Sequence, residues 1–342
     1  PTDTPLIVAD SGDRAALAAM AAQSKVILST VGPYQLYGNE LVDVCASSGT
    51  DYVDLCGEPV WMAEKIEQHS VAAKASGARI VFSCGFDSIP FEMGVFFLQQ
   101  EARKSLGKAC VNVAGRVLKM QGTSSGGTVA SFKASMAAAM QNPALIEVMK
   151  NPFALAGGFR GPRQPSSSKP RQDDVMSGLW VAPFFMAPIN TKNVHRSNML
   201  LGHAYGEDFT YNEMVVTGPG EKGQAIAGKV AASGGGMTSK NAPKPGEGPS
   251  KEEREAGHYE VLFIGQTDDG DSLQVGVQGD RDPGYGSTSK MISEAALCLL
   301  QDRADTPGGI WTPAPAMGEA LIARLQAKAG LTFDVRCSRW AS

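Results

Sequence analysis

The chain has 342 residues, 43% of them hydrophobic and 19% charged, which is enough apolar material for one large or two ordinary cores, and two domains is the expected division. A net charge of -4 with scattered Lys and Arg leaves no basic surplus for a nucleic-acid backbone, so nucleic acid is excluded as an expected partner. No apolar run nears the ~20 residues of a bilayer crossing, no leader pattern opens the chain, and six widely spaced cysteines without a CxxC pair read as buried thiols, so a cytoplasmic protein without firm membrane association is expected.

In chain order, apolar runs at 6–10 (LIVAD), 26–31 (VILSTV), 52–55 (YVDL) and 79–84 (RIVFSC) alternate with amphipathic stretches at 14–22, 39–47 and 60–75. Short strands apolar on both faces, separated by helices, predict parallel βαβ units covered on both sides: a Rossmann-like doubly wound α/β sheet. Asp10, Gly32 and Gly85 then fall at carboxyl ends of strands, the edge where open parallel sheets bind ligands. Beyond Pro90 the pattern changes to a helix over 91–106, a strand over 109–120 and a helix over 128–140. A polar loop over 157–174 and half-exposed strands over 211–217 and 258–265 complete a second, α+β domain with a mixed sheet. Residues 218–249 are dense in Gly, Lys and Pro and lack a hydrophobic period, so a mobile loop is expected there, and helices are expected over 287–301 and 315–329. The expected division is 1–92 for a partial dinucleotide-binding domain, 93–283 for the second domain, and 284–342 for helices that return to the first.

The local motifs each carry two readings. At 26–38 a buried strand enters Gly32-Pro33-Tyr34 and then a helix, so that backbone can approach a ligand, free helix N–H groups can face anionic atoms, and Tyr34 and Tyr37 can flank a cofactor; an ordinary βα turn with two packing tyrosines fits the spacing equally. In Gly85-Phe86-Asp87-Ser88, Asp87 or Ser88 can cap the following helix, or the loop can shape a cleft. Asp54, near Gly57 and Glu58, reads more readily as structural than catalytic. The run 121–128 (QGTSSGGT) lacks the Lys of a phosphate-binding Walker loop and either hands hydroxyls to a substrate or caps a helix. His195 and Arg196 can polarise a carbonyl or bind a carboxylate, or can be a surface pair. The four histidines show no metal-ligand spacing, so no metal is expected. No GxGxxG turn precedes residue 6, and the expectation is that the first βαβ unit of the fold is missing from this chain.

Taken together, VGPYQLYG, GTDYVDLCGEP, ARIVFSCGFDSIP, SSGGTVAS, MAPINTKNVHRSN, GDRDPGY and TPAPAMGEAL resemble, in order and over nearly the whole chain, the motif series of the saccharopine dehydrogenase-like oxidoreductases, nearest to their trans-acting enoyl reductase branch in actinobacteria. The resemblance implies an NAD- or NADP-binding Rossmann domain with a second mixed-sheet domain. It carries Thr30, Val31, Gly32, Pro33 and Tyr34 to the cofactor, Asp10 to the adenine, Gly85, Phe86 and Asp87 to the nicotinamide, and Tyr285 to the cleft. It also implies reduction of an enoyl thioester, free or carrier-bound, with Tyr34, Tyr37, His195 and Arg196 as the available donors. Two alternatives stay open: an amino-acid dehydrogenase acting on an imine or secondary amine, for which Lys133, Arg196 and Arg281 are the candidate cations, and a non-catalytic docking module. The apolar stretch 179–188 favours an acyl chain if it lines the cleft and is plain core otherwise, and the oligomeric state is open, a homodimer included.

Overall fold

Asp13 accepts hydrogen bonds from the amides of Ala15 and Ala16 and so starts α1 (Arg14–Ala21), the first regular element of a computed structural model that describes residues 4–122, 125–234 and 243–337. There follow β1 (Val26–Ser29), a single turn α2 (Tyr34–Tyr37), α3 (Asn39–Ser48), β2 (Asp51–Asp54), α4 (Pro59–Ser76), β3 (Arg79–Val81) and α5 (Ile89–Leu106). Proline at the start of α4 and a left-handed Gly77 at its end set its limits, as fixed φ suits a first turn and a missing Cβ suits the cap.

The second stretch comprises β4 (Asn112–Gln121), α6 (Gly126–Gln141), α7 (Ala144–Lys150), β5 (Arg171–Gln172), β6 (Leu179–Pro183), α8 (Ala187–Leu200), β7 (Thr210–Pro219), α9 (Gly220–Ser233), α10 (Lys251–Ala256), β8 (His258–Gln266) and β9 (Ser272–Gly279). A π-helical turn at Pro283–Ser287 leads into α11 (Thr288–Gln301), β10 (Gly309–Trp311), α12 (Pro313–Arg324) and β11 (Leu331–Cys337). Strands β1, β2, β3 and β10 form one wholly parallel sheet in that order. The other sheet runs β11-β9-β8-β4-β7-β6-β5 and is mixed, with β4 and β7 parallel and every other pair antiparallel. The α/β class with one parallel and one mixed sheet is the expected one.

Alternation along β2 and β3 builds two cores. Tyr52 and Ile80 point into a cluster with Leu17, Val42 and Met62 of α1, α3 and α4, whereas Val53 and Val81 point into a larger cluster shared by α5, α11, α12 and the mixed sheet. Each fully buried Val, Ile or Phe there contributes roughly 1.5–3 kcal/mol of transfer free energy. Helix α5 sits on the mixed sheet so closely that a Cβ at Gly94 would enter the ring of Phe263. Five of the six cysteines, Cys45, Cys56, Cys84, Cys110 and Cys298, are buried and free, as expected; the side chain of Cys337 lies outside what the structure describes. Among the described residues no helix is long and apolar enough to cross a membrane.

Three expectations are corrected. The run 6–10 is not a strand: Leu6 and Val8 are almost fully exposed, and among the described residues no neighbour lies alongside to complete a ladder. Within 218–249 the structure holds a helix, α9, whose inward face is Gly223 and Ala227, residues too small to register as a hydrophobic stripe; positions 235–242 of the expected loop lie outside the described residues. Strand β7 is not half-exposed, because Tyr211, Asn212, Glu213 and Met214 are all buried in the middle of the mixed sheet.

Candidate functional site

The carboxyl ends of β1, β2 and β3 bring three turns together, 30–34, 55–58 and 83–88. The first is organised by a carboxylate from the second. Glu58, only 2% exposed, accepts hydrogen bonds from the amides of Tyr34 (2.7 Å) and Gln35 (3.0 Å), from Gln35 Nε2 (2.9 Å) and from Ser131 Oγ of α6 (2.8 Å). The helix start that the sequence offers to an anion is therefore capped by the protein itself. Gln35 Nε2 also donates to Ser135 Oγ at 3.2 Å, so α6 is tied twice to this turn.

Tyr34 is buried on Trp61, with ring centroids 5.5 Å apart, and its hydroxyl donates to the Ser29 carbonyl (3.0 Å) while accepting from the Leu55 amide (3.1 Å). It rivets the end of β1 to the end of β2. Burial, reinforced by Asp54, holds the phenol well above its ordinary pKa. Asp54 accepts from the amides of Cys56 (2.9 Å) and Ser83 (3.0 Å) and from the Tyr52 hydroxyl (3.1 Å), and burial still pushes its pKa up to about 7. This is the structural role read from the sequence.

Asp87 differs. It is half-buried, its carboxyl lies against the α-carbon of Gly57 so that a Cβ there would collide with it, and no other residue's side chain hydrogen-bonds to it among the described residues. Burial first, and then the nearby Asp54, raise its pKa to about 7. Neither Asp87 nor Ser88 caps α5; Ser88 Oγ instead accepts from Asn193 Nδ2 of α8 at 2.7 Å. The Phe86 amide donates to Thr288 Oγ1 at 3.0 Å, which seats the start of α11 against this loop.

Of the remaining predicted residues, Thr30, Val31 and Gly32 line the open end of β1, with Thr30 and Val31 exposed and Pro33 buried beneath them. Gly85 is buried, and Phe86 is a core residue whose ring meets Tyr259 at 4.9 Å, leaving its backbone alone at the edge. Asp10 stands apart on the exposed 6–10 segment and accepts from the Gly12 amide at 2.8 Å. Tyr285 donates to the Glu247 carbonyl at 3.2 Å with its ring over Gly248, so its hydroxyl is already engaged. Tyr37 is 47% exposed at the end of α2.

The expectation for the pair in α8 is corrected. His195 is 3% exposed, packed against Phe153 (4.4 Å between ring centroids) and Phe209, and burial lowers its pKa to about 3, so it is neutral. Arg196 spends its guanidinium on the carbonyls of Leu155 and Ile310, each at 2.6 Å. Both side chains are buried, so they are not a surface pair. The loop at 121–128 follows its plainer alternative, with Ser125 accepting from the Thr128 amide to cap α6, positions 123–124 lying outside the described residues. Sequence reasoning missed the junction in which Ser197 Oγ (2.6 Å) and the Ala314 amide (2.8 Å) donate to Glu92, joining α5, α8 and α12. An acid in the first turn of a helix is so ordinary that it carried no signal.

No protein-family model matches the chain. A trans-acting enoyl reductase of Mycobacterium ulcerans is 37% identical over 95% of this chain and 83% of its own length. A Mycobacterium tuberculosis protein carrying the same name in provisional form is 37% identical over 96% of this chain and 84% of its own, and a trans-acting enoyl reductase of Mycobacterium bovis is 34% identical over 94% and 83%. Among solved structures, apo saccharopine dehydrogenase (L-Glu forming) from Saccharomyces cerevisiae aligns over 96% of this chain and 88% of its own with a TM-score of 0.52 at 9% identity, a likeness of fold alone.

Proposed function

This chain belongs to the trans-acting enoyl reductase family of oxidoreductases, and from that premise we propose that it reduces the C=C bond of an α,β-unsaturated acyl thioester with NADPH or NADH. The observation that carries the reading is the convergence of three turns at the carboxyl edge of a parallel sheet, the place where such sheets bind nucleotides and substrates.

The edge residues fit the nicotinamide end of such a cofactor. Among the described residues Ser29 Oγ, buried at the end of β1, has no hydrogen-bond partner, and no other residue hydrogen-bonds to Asp87 at the end of β3. Thr30, Val31, Gly32 and the backbone of Gly85 and Phe86 are the surfaces that would hold the ring. When bound, the nicotinamide supplies a hydride. The protein's own contribution is rigidity: Glu58 and Tyr34 fix the 30–34 turn, Asn193 fixes the 83–88 turn, and Thr288 supports its backbone. A diphosphate does not belong on the amides of Tyr34 and Gln35, which Glu58 occupies.

A saccharopine-type substrate, with several carboxylates, would call for free cations at this edge. Of the three candidate cations, Arg196 is turned inward and Arg281 donates to the Glu255 carbonyl at 3.0 Å, leaving only Lys133 exposed on α6, and this shortage supports the neutral thioester. An acyl thioester on a carrier is within the same reading. Fluorescence titration with NADPH and NADH, followed by stopped-flow oxidation of the bound cofactor on adding 2-enoyl thioesters, tests it. Saturable binding with thioester-dependent oxidation is expected; saturable binding with oxidation only by a keto acid plus an amine would replace it with the amino-acid dehydrogenase, and no binding would leave a docking module.

A further inference from the structure

The geometry points to Asp87 as the proton donor of this site, delivering its carboxyl proton to the α-carbon of the substrate as the β-carbon accepts the hydride. This rests on the enoyl reductase reading above and names a residue which that reading leaves open.

The assignment follows from which polar groups at the edge are already engaged. The Tyr34 hydroxyl donates to the Ser29 carbonyl and accepts from the Leu55 amide. The Tyr52 hydroxyl donates to Asp54, the Ser83 hydroxyl to the Cys56 carbonyl at 2.6 Å, and the Thr288 hydroxyl to the Pro283 carbonyl at 2.8 Å. Glu58 accepts from four donors and Asp54 from three. Asp87 alone among these acids is both partly open to solvent and free of hydrogen bonds from other residues, and Gly57 provides the space its carboxyl occupies.

Its surroundings favour the protonated form. Among the described residues the titratable groups that face it are Asp54, Cys56 and Tyr34, none of them a cation, and Thr288 on the α11 side does not titrate. Near neutral pH the carboxyl is therefore poised between holding and releasing its proton, the condition in which a general acid works best.

The step balances. The hydride from the reduced nicotinamide forms the β C–H bond, and the π electrons of the C=C bond pass to the α-carbon and the thioester oxygen. The Asp87 O–H bond then breaks as the α C–H bond forms. The nicotinamide ends oxidised, the acyl chain ends saturated, and the carboxylate left on Asp87 regains a proton from water.

The test compares wild type, Asp87→Asn and Tyr37→Phe in deuterated water, reading cofactor affinity, turnover against pH, and the stereochemistry of deuterium at the α-carbon. Wild type is expected to lose turnover as pH rises through about 7 and to place deuterium on one α-face. Asp87→Asn is expected to retain saturable cofactor binding, to lose on the order of 10²–10⁴-fold in turnover, and to give residual product deuterated on both faces. A purely structural role would slow the reaction without scrambling that face. Carbon-13 NMR of aspartate-labelled protein supplies a readout that needs no turnover: a carboxyl titrating near pH 7, absent from Asp87→Asn and displaced by the nicotinamide cofactor, is expected. Turnover and stereochemistry that survive in Asp87→Asn but fail in Tyr37→Phe would overturn the assignment and leave the enoyl reductase reading standing; a wild type that oxidises no cofactor with any 2-enoyl thioester would overturn both.

Discussion

Two buried polar assemblies in this molecule are built on opposite plans. In the mixed sheet, Arg116 and Asp173 are both enclosed and form a two-pronged pair (2.8 and 2.7 Å), and the remaining guanidinium donor is shared by Asn212 Oδ1 (2.7 Å) and the Gly115 carbonyl (2.9 Å). At the parallel-sheet edge, Asp54 and Glu58 are held by N–H and O–H groups with no ion pair among the described residues, and no other residue there hydrogen-bonds to Asp87. The first arrangement gives every guanidinium nitrogen a partner and fixes the sheet. The second leaves protons free to move, and the difference marks where chemistry can occur.

The largest test of that contrast is Arg116→Ala. It strands a buried Asp173, and denaturant unfolding should show a loss of about 3–5 kcal/mol; a loss below ~1 kcal/mol would mean the pair is no better than a surface one. Next comes Glu58→Ala, which orphans two backbone amides and frees α6 from the 30–34 turn. A cost of about 3 kcal/mol is expected, with a shifted Trp61 emission because Tyr34 rests on that ring, and Glu58→Gln should retain roughly half of the stability through its remaining carbonyl.

The acids also predict a pH slope. Asp54 and Glu92 titrate near 7 in the fold against 3.8 and 4.5 ordinarily, so the folded state holds the extra protons. Stability from these groups is complete below their ordinary values, falls as pH rises toward 7, and levels off above it. Glu92→Gln should flatten part of that fall in thermal melts recorded from pH 4 to pH 8. The smallest effect belongs to His195→Phe. The ring is neutral, aromatic-lined and has an unpartnered Nε2, so stability should change by less than ~1 kcal/mol and turnover should stay intact; lost turnover would return His195 to the list of donors.

The parallel sheet was legible because short β-branched runs ending in Gly-Pro or Gly-Phe have few other structural solutions. The LIVAD run failed for a related reason: the pattern states that a segment can be a strand, not that a neighbour is present. Helix α9 was hidden by its small inward face. Helix α8 was hidden by the reverse, since Asn190, Lys192, Asn193, His195, Arg196 and Ser197 read as a solvent-facing surface yet are all buried. Lys192 is typical, donating to the carbonyls of Met149 (2.7 Å) and Pro188 (3.0 Å), with burial lowering its pKa to about 8. A partner as distant in sequence as Met149 leaves no periodic trace. The same holds for Glu58, whose motif was visible while its three partner residues, 23, 24 and 73 positions away, were not.

Helix α5 begins at the 83–88 turn and carries Gly94 to its seat on Phe263, a rise of roughly 7.5 Å from Ile89. Gaining or losing a single residue before Gly94 would swing that glycine by about 100° and present a side chain to the ring instead. The first turns of the helix thus act as a gauge block between the parallel-sheet edge and the mixed sheet, and the spacing from the 83–88 turn to Gly94 is constrained as tightly as its composition.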